Sequence, residues 1–449
     1  MNSIRNHFWN QRLKGTASMD CRIEDIIARE ILDSRGNPTV EVEVFLADGT
    51  RARSSVPSGA STGSKEAVEL RDVTLHRFGG KGVQNVVQNI KEIIAPALKY
   101  LDVRKQKAID DRLIDLDGTE NKDKLGSNAL LGVSMACARA AADYSDLSLY
   151  AYLGGPCATR LPVPCFNVLN GGVHAHWQGS DFQECMLVPY GADSFREALR
   201  WGAEIYHALQ AVLMEHHLSV GVGDEGGFAP MVSSNYESYD LLLEAIRKSG
   251  FEPGRDCGIA IDPASSELFK DDKYQLLTEK RAISSLEMIG YYEEIARNYP
   301  LVLLEDGLAE NDWDNWKILN EKLGNIIELV GDDIFCTNPK IIASAIEDNI
   351  ANATLIKPNQ IGTVSETIVS TRMAQFHGWG AFVSHRSGET TDDFIADLTV
   401  ALDTGHLKSG APARGERMAK YNQLLRIEEE LGTAARFAGK QAFCRPVRF

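Results

Sequence analysis

The order of apolar and polar positions divides the chain into two unequal parts. In the first, residues 22–55 read as strands: TVEVEVFL (39–46) alternates in places, and Ala47-Asp48-Gly49 marks a turn before RARSSV. Gly, Ser and Pro cluster over 56–63, which reads as a loop. Helices dominate beyond it, over 82–100, 104–116 and 127–145. Strands followed by helices predict an α+β domain ending near Gly155.

From Leu161 onward the pattern changes. Short runs (CGIAID, LVLLED, IIELVGDD, ATLIK, AFVSH) are rich in β-branched residues and Leu, and polar or turn residues bound them. That is how a strand buried on both faces looks. They alternate with amphipathic helices, which predicts a parallel sheet, and this many units predicts closure into a barrel. The expected fold is therefore α/β: a smaller N-terminal α+β domain over 20–155 and a (β/α)8-type barrel over 156–449. Residues 1–19 are expected to be a flexible extension; they carry Arg5, Arg12 and Lys14 and no acid, a weak transit-peptide composition.

Each barrel run ends on a titratable residue: Asp262, Glu305, Asp332, Lys357 and His385, with Lys408 after the next, weaker segment. The last four separations are 27, 25, 28 and 23 residues, about one strand–helix unit each. Strand C-termini of such a barrel meet at one rim, so these side chains are expected to converge. Three carboxylates on successive strands (Asp262, Glu305, Asp332) offer the oxygen ligands that a hard divalent cation such as Mg²⁺ takes. Any one alone could equally be a salt bridge or a helix cap. Asp306 and Asp333 follow two of them, and neighbours on a strand point opposite ways, so one of each pair should face the metal. Lys357, entering a buried rim beside cations, is expected to have a lowered pKa and to serve as a base.

Arg386 and Ser387 in VSHRSGET suit an anion, the former with its planar fork. Glycines flank Asp224 and Glu225 in GVGDEGGFAP and let backbone approach a ligand. Glu184 in FQE supplies a second carboxylate, and one of two such groups can keep the other protonated. His174 lies in another Gly-rich loop, where surface histidines are also common.

The formal charge of −16 argues against a nucleic-acid-binding surface but leaves a small anionic substrate open. Eight cysteines stand singly, without framework spacing, as in a reducing compartment. No run of about 18 apolar residues predicts a membrane span. A cytoplasmic protein is expected, with a surface or secreted fraction left open.

At the motif level the chain resembles the enolase (phosphopyruvate hydratase) family from about Ile23 to Gly439. The resemblance rests on ILDSRGNPTVEVEV, VPSGASTG, LDGTENKDKLG, VLNGGVHA, GDEGGFAP, LLEDGLAENDW, GDDIFCTNP, IKPNQIGT, VSHRSGET and APARGERMAKYNQLLRIEEELG. It implies reversible dehydration of 2-phosphoglycerate to phosphoenolpyruvate with two Mg²⁺ ions per site, one arriving with substrate. Asp262, Glu305 and Asp332 would hold the first ion, and Ser61 the second. Ser61, with Gly59 and Ala60, lies in the substrate loop. Lys357 would be the base, and Glu225 with Glu184 the acid. Arg386 and Ser387 would bind phosphate, Lys408 and His385 would contact the carboxylate and hydroxyl region, and His174 would close over the phosphate side. A homo-oligomer, dimer or octamer, is implied as well.

The segment AHWQGSDFQ after His174 is one residue longer than that family's pattern, Cys185 follows Glu184, and Val73, Pro263 and Pro358 also depart from it. The altered loop keeps open a paralogue acting on a phosphoenolpyruvate analogue. A surface or scaffold binding role is a third reading.

Overall fold

The computed structural model describes residues 20–60, 62–73 and 76–448. The 1–19 extension and Ser61 lie outside the described residues.

Strands Ile23–Leu32, Pro38–Leu46 and Arg51–Ser55 form an antiparallel sheet in chain order. Its middle strand buries Val40, Val42, Val44 and Leu46, every second residue, against helix Ser127–Tyr144. That helix is almost wholly buried, and Gly132 lets it lie against Val42: an added Cβ there would stand 2.7 Å from the valine. The helix expected over 82–100 is broken into Gln84–Asn89, a π turn at Ile90–Ile94 and Ala95–Leu98. Pro96 has no N–H to bond back to Glu92, so the ordinary register fails there.

The second part closes an eight-stranded barrel. Its strands, in chain order, are Val163–Asn170, Glu184–Val188, Gly258–Asp262, Leu301–Glu305, Glu328–Gly331, Ala353–Ile356, Gly380–Ser384 and His406–Lys408. All are buried along their whole length, which explains why they read as apolar runs rather than alternating ones.

The all-parallel expectation fails at one strand. Glu184–Val188 runs antiparallel to both neighbours, while the remaining pairs are parallel. The chain between the first two strands never returns to the floor. It folds back at the rim around the 3-10 turn Gly172–Ala175, closed by Gly171 N–H to Gln183 O (3.0 Å) and Gly172 N–H to Ser180 O (2.9 Å). The second strand therefore descends. Two packed helices, Phe195–Glu215 and Asn235–Lys248, follow it, and the loop between them carries GDEGGFAP back to the rim. There Asn170 N–H bonds Phe228 O at 2.7 Å.

The sheet-and-helix part sits over this rim. Ser58 and Gly388 exchange both backbone hydrogen bonds, at 2.8 and 2.9 Å, so the loop after the third strand is stitched to the loop carrying Arg386 and Ser387. At the opposite end, the C-terminal residues close the barrel floor, with Cys444 N–H bonded to Glu328 at 2.9 Å. No helix among the described residues is long and apolar enough to cross a membrane.

Candidate active site

The barrel topology brings the strand ends together. Asp262, Glu305, Asp332 and Lys408 close or directly follow their strands at the rim and are buried. Glu184 opens its strand, yet strand reversal sets it opposite Asp262 in register. The ammonium of Lys408 stands among these acids, 2.8 Å from Glu305, 3.1 Å from Glu184 and 3.5 Å from Asp262. Lys357 pairs with Asp332, whose other oxygen accepts Gln360 Nε2 at 2.8 Å. Asp306 turns its carboxylate to the backbone, accepting the N–H groups of Asp332 (2.8 Å) and Asp333 (2.9 Å).

A second group lies across the site. Carboxylate and ring atoms of His174, Glu184 and Glu225 lie within 4.8 Å of one another. Glu225 accepts Ser387 Oγ at 3.1 Å and Asn167 Nδ2 at 2.8 Å, and His385 Nε2 is 3.4 Å away. His174 Nε2 meets Ser387 Oγ at 3.0 Å. Arg386 is held by Glu66 (3.0 Å) and Asn359 (3.2 Å). Lys357, Lys408, Glu184, Glu225, His174, His385, Arg386 and Ser387 thus share one cavity of about 260 Å³. A more apolar cavity lies behind Arg386, between Leu131, Met135 and Phe394, but the reactive groups line the polar one. Gly59 and Ala60 border the wider mouth together with Arg35, Arg71 and Lys81.

Burial and charge separate the acids. Burial pushes Glu184 well above the usual carboxylate range, aided by Glu225 and Asp262 and only partly opposed by Lys408. Burial pushes Glu225 the same way, but the imidazoles of His385 and His174 and the Arg417 guanidinium outweigh it and hold this carboxyl low. The two carboxyls are thus pushed in opposite directions and titrate as a pair. Burial lowers both histidines, His385 to about 3. In the protein by itself, burial pulls Lys357 down, but direct pairing with Asp332 outweighs burial and leaves it raised; the lowering is expected beside cations.

The donor set suits a hard divalent cation. Asp262, Glu305 and Asp332 present oxygens only, and Glu305 Oε2 is buried without a hydrogen-bond partner. A further acidic group, Asp306, Asp332 and Asp333, has oxygens within 4.8 Å of one another.

Several contributors went unread in the sequence. Gln360, one helical turn past Lys357, carried a signal in its spacing. Asn167 lies mid-strand on a run that gave no sign of chemistry. Glu66 and Arg417 come from distant segments, and nothing local marks them.

Comparison with known proteins agrees with this geometry. Residues 23–153 match the enolase N-terminal domain and residues 158–445 the enolase C-terminal TIM barrel domain. The chain is 60% identical to Enolase 2 of Methanospirillum hungatei JF-1 over 425 residues, covering 95% of this chain and 99% of that one. It is 57% identical to Enolase 2 of Pseudomonas syringae pv. syringae over 427 residues, 95% and 100% of the two chains. With the enolase of Acidothermus cellulolyticus it shares 58% over 423 residues, 94% and 98% of the two chains. A two-part fold, a rim of acids and lysines and near-complete coverage at such identity lead to one conclusion: this chain belongs to the enolase family.

Proposed function

We propose that the rim cavity carries out the reversible dehydration of 2-phosphoglycerate to phosphoenolpyruvate, with residues divided between its two sides. The observation that carries the reading is the placement of Lys357 and the carboxylates Glu184 and Glu225 on the wall of one small cavity. Lys357 takes the proton from the carbon next to the substrate carboxylate. Glu225, with Glu184, delivers a proton to the departing hydroxyl, because hydroxide leaves poorly. Lys408 places its charge where the substrate carboxylate gains negative charge. Arg386 and Ser387 bind the phosphate, His174 closes on Ser387, and Gly59, Ala60 and Ser61 belong to the loop over the substrate.

Asp262, Glu305 and Asp332 would hold the resident Mg²⁺, and Ser61 would help hold a second that arrives with substrate. A cation held there would supply positive charge near the substrate carboxylate, where negative charge develops. A Lys or His base beside one or two Mg²⁺ ions is the general pattern of this superfamily.

The test is the ultraviolet absorbance of the enolpyruvate product when protein meets 2-phosphoglycerate and Mg²⁺, with and without a chelator. Turnover abolished by chelator supports the reading; a folded, Mg²⁺-binding protein without turnover sinks it. The paralogue and scaffold alternatives are not favoured by the relatives. We extend the reading to a cytoplasmic homo-oligomer, dimer or octamer. Eight unpaired thiols support a reducing compartment, and sedimentation velocity would give the assembly state.

A further inference from the structure

Arg417 is fully buried near the start of helix Gly415–Leu431, far in sequence from the site groups that its fork reaches. Its guanidinium meets four acceptors in the site. Nη1 donates to His385 Nδ1 and to Arg386 O, both at 2.6 Å. Nη2 donates to Ser387 O at 2.6 Å and to Asp224 O at 3.1 Å. One planar fork thereby fastens the turn that bears the phosphate-binding residues to the loop that bears Glu225. A lysine, with one compact ammonium, cannot reach four acceptors so arranged.

The chemistry of the fork has a consequence at His385. A guanidinium only donates hydrogen bonds and does not lose its proton in proteins. The atom receiving its bond, His385 Nδ1, must therefore offer a lone pair. A neutral imidazole with its lone pair at Nδ1 carries its hydrogen at Nε2, and that atom faces Glu225 Oε2 at 3.4 Å. The same guanidinium disfavours a charged ring beside it, in line with the lowered affinity of His385 for a second proton. A carboxylate in Arg417's place would select the opposite tautomer and turn a lone pair toward Glu225.

We propose that Arg417 is a positioning residue for this reaction: it locks His385 as the neutral Nε2–H tautomer, with that hydrogen on the side of Glu225, and ties the acid loop to the phosphate-binding turn. The inference deepens the proposed function and rests on it only for its kinetic consequence; the tautomer stands on geometry.

The test is a long-range ¹H–¹⁵N correlation spectrum of the full chain with ¹⁵N-labelled histidine, with the His385 signals identified by their loss in His385→Gln. The expected spectrum has a pyridine-like shift at Nδ1 and a pyrrole-like shift at Nε2. A proton on Nδ1 of the unmodified protein would overturn the proposal. In Arg417→Met the donor is gone, and the pattern should move to the other tautomer or to a mixture, while a folded Arg417→Met with an unchanged pattern would also overturn it. Turnover in that variant should fall about 100-fold, the scale of a misplaced reacting group, with KM changing far less. Arg417→Lys should recover only part of the loss. A purely structural role would not move the tautomer. The spectra need no substrate, so a wrong reaction assignment would leave them unchanged, and the two failures can be told apart. Should Arg417→Met not fold, the spectrum of the unmodified chain still decides the question.

Discussion

Strand His406–Lys408 carries a buried basic side chain near each end of the barrel, and the two are treated differently. At the floor, His406 bonds Glu328 at 2.8 Å and faces the Thr404 carbonyl at 3.1 Å, and its ring stacks on Phe382 at 4.5 Å. The other oxygen of Glu328 accepts Cys444 N–H. One acid meets one imidazole and both are satisfied. At the rim, Lys408 faces three acids at once, and Glu305 keeps a buried oxygen without a partner. A satisfied buried pair holds structure together. A crowded set of acids, unbalanced within the protein, is held ready for cations and substrate. Stability and function therefore lie at opposite ends of the same strands.

The comparison can be broken most sharply at Lys357. Lys357→Ala should lower turnover per folded molecule by about 10²–10⁴-fold, the usual contribution of a positioned base; it also strands the buried Asp332 carboxylate, so steady-state kinetics normalised to the folded fraction check it. His406→Leu should act on stability alone. It strands a buried carboxylate, so about 3–5 kcal/mol of stability should go, while turnover per folded molecule stays as it was. If turnover collapsed in that variant, the division between floor and rim would be wrong.

A finer test is Glu305→Gln. Calorimetric titration with Mg²⁺ should show binding weakened at least about tenfold. The same change should raise the unfolding temperature of the chelated protein at neutral pH. The sign follows from the raised pKa of Glu305, which burial and then the nearby Asp262 carboxylate produce. A carboxyl raised in the folded state favours folding while protonated and opposes it as pH climbs from the unfolded value through the folded one. Glutamine removes that penalty.

The smallest effect belongs to Asp397, buried away from both ends on helix Phe394–Leu402. It accepts Tyr150 N–H at 3.2 Å and Gln423 Nε2 at 3.1 Å. Burial, then the charge of Asp393, pushes it up to about 7, with Arg139 opposing. Its cost is absent below the unfolded value of about 3.9, grows with pH and is complete above about 7. Asp397→Asn should therefore stabilise by about 1–3 kcal/mol at pH 8 and by clearly less at pH 5. Equal urea midpoint shifts at the two pH values would show that burial alone does not set the cost.

Much of this was legible along the chain. Runs of apolar residues ending on Asp262, Glu305, Asp332, Lys357 and His385, at separations near one strand–helix unit, determined the barrel and most of its rim. Such patterns are local, because strand and helix periods and strand ends are properties of neighbouring residues. The tertiary structure alone decided the rest. Glu184 begins a strand and would belong at the floor of an all-parallel barrel; the reversed strand, set by backbone bonds across the Gly171–Gln183 turn, brings it to the rim. The raised pKa of Lys357 depends on direct contact with Asp332, 25 residues away. Arg417 meets His385 across 32 residues, and only the path of the folded backbone determines which nitrogen of that ring its fork will reach.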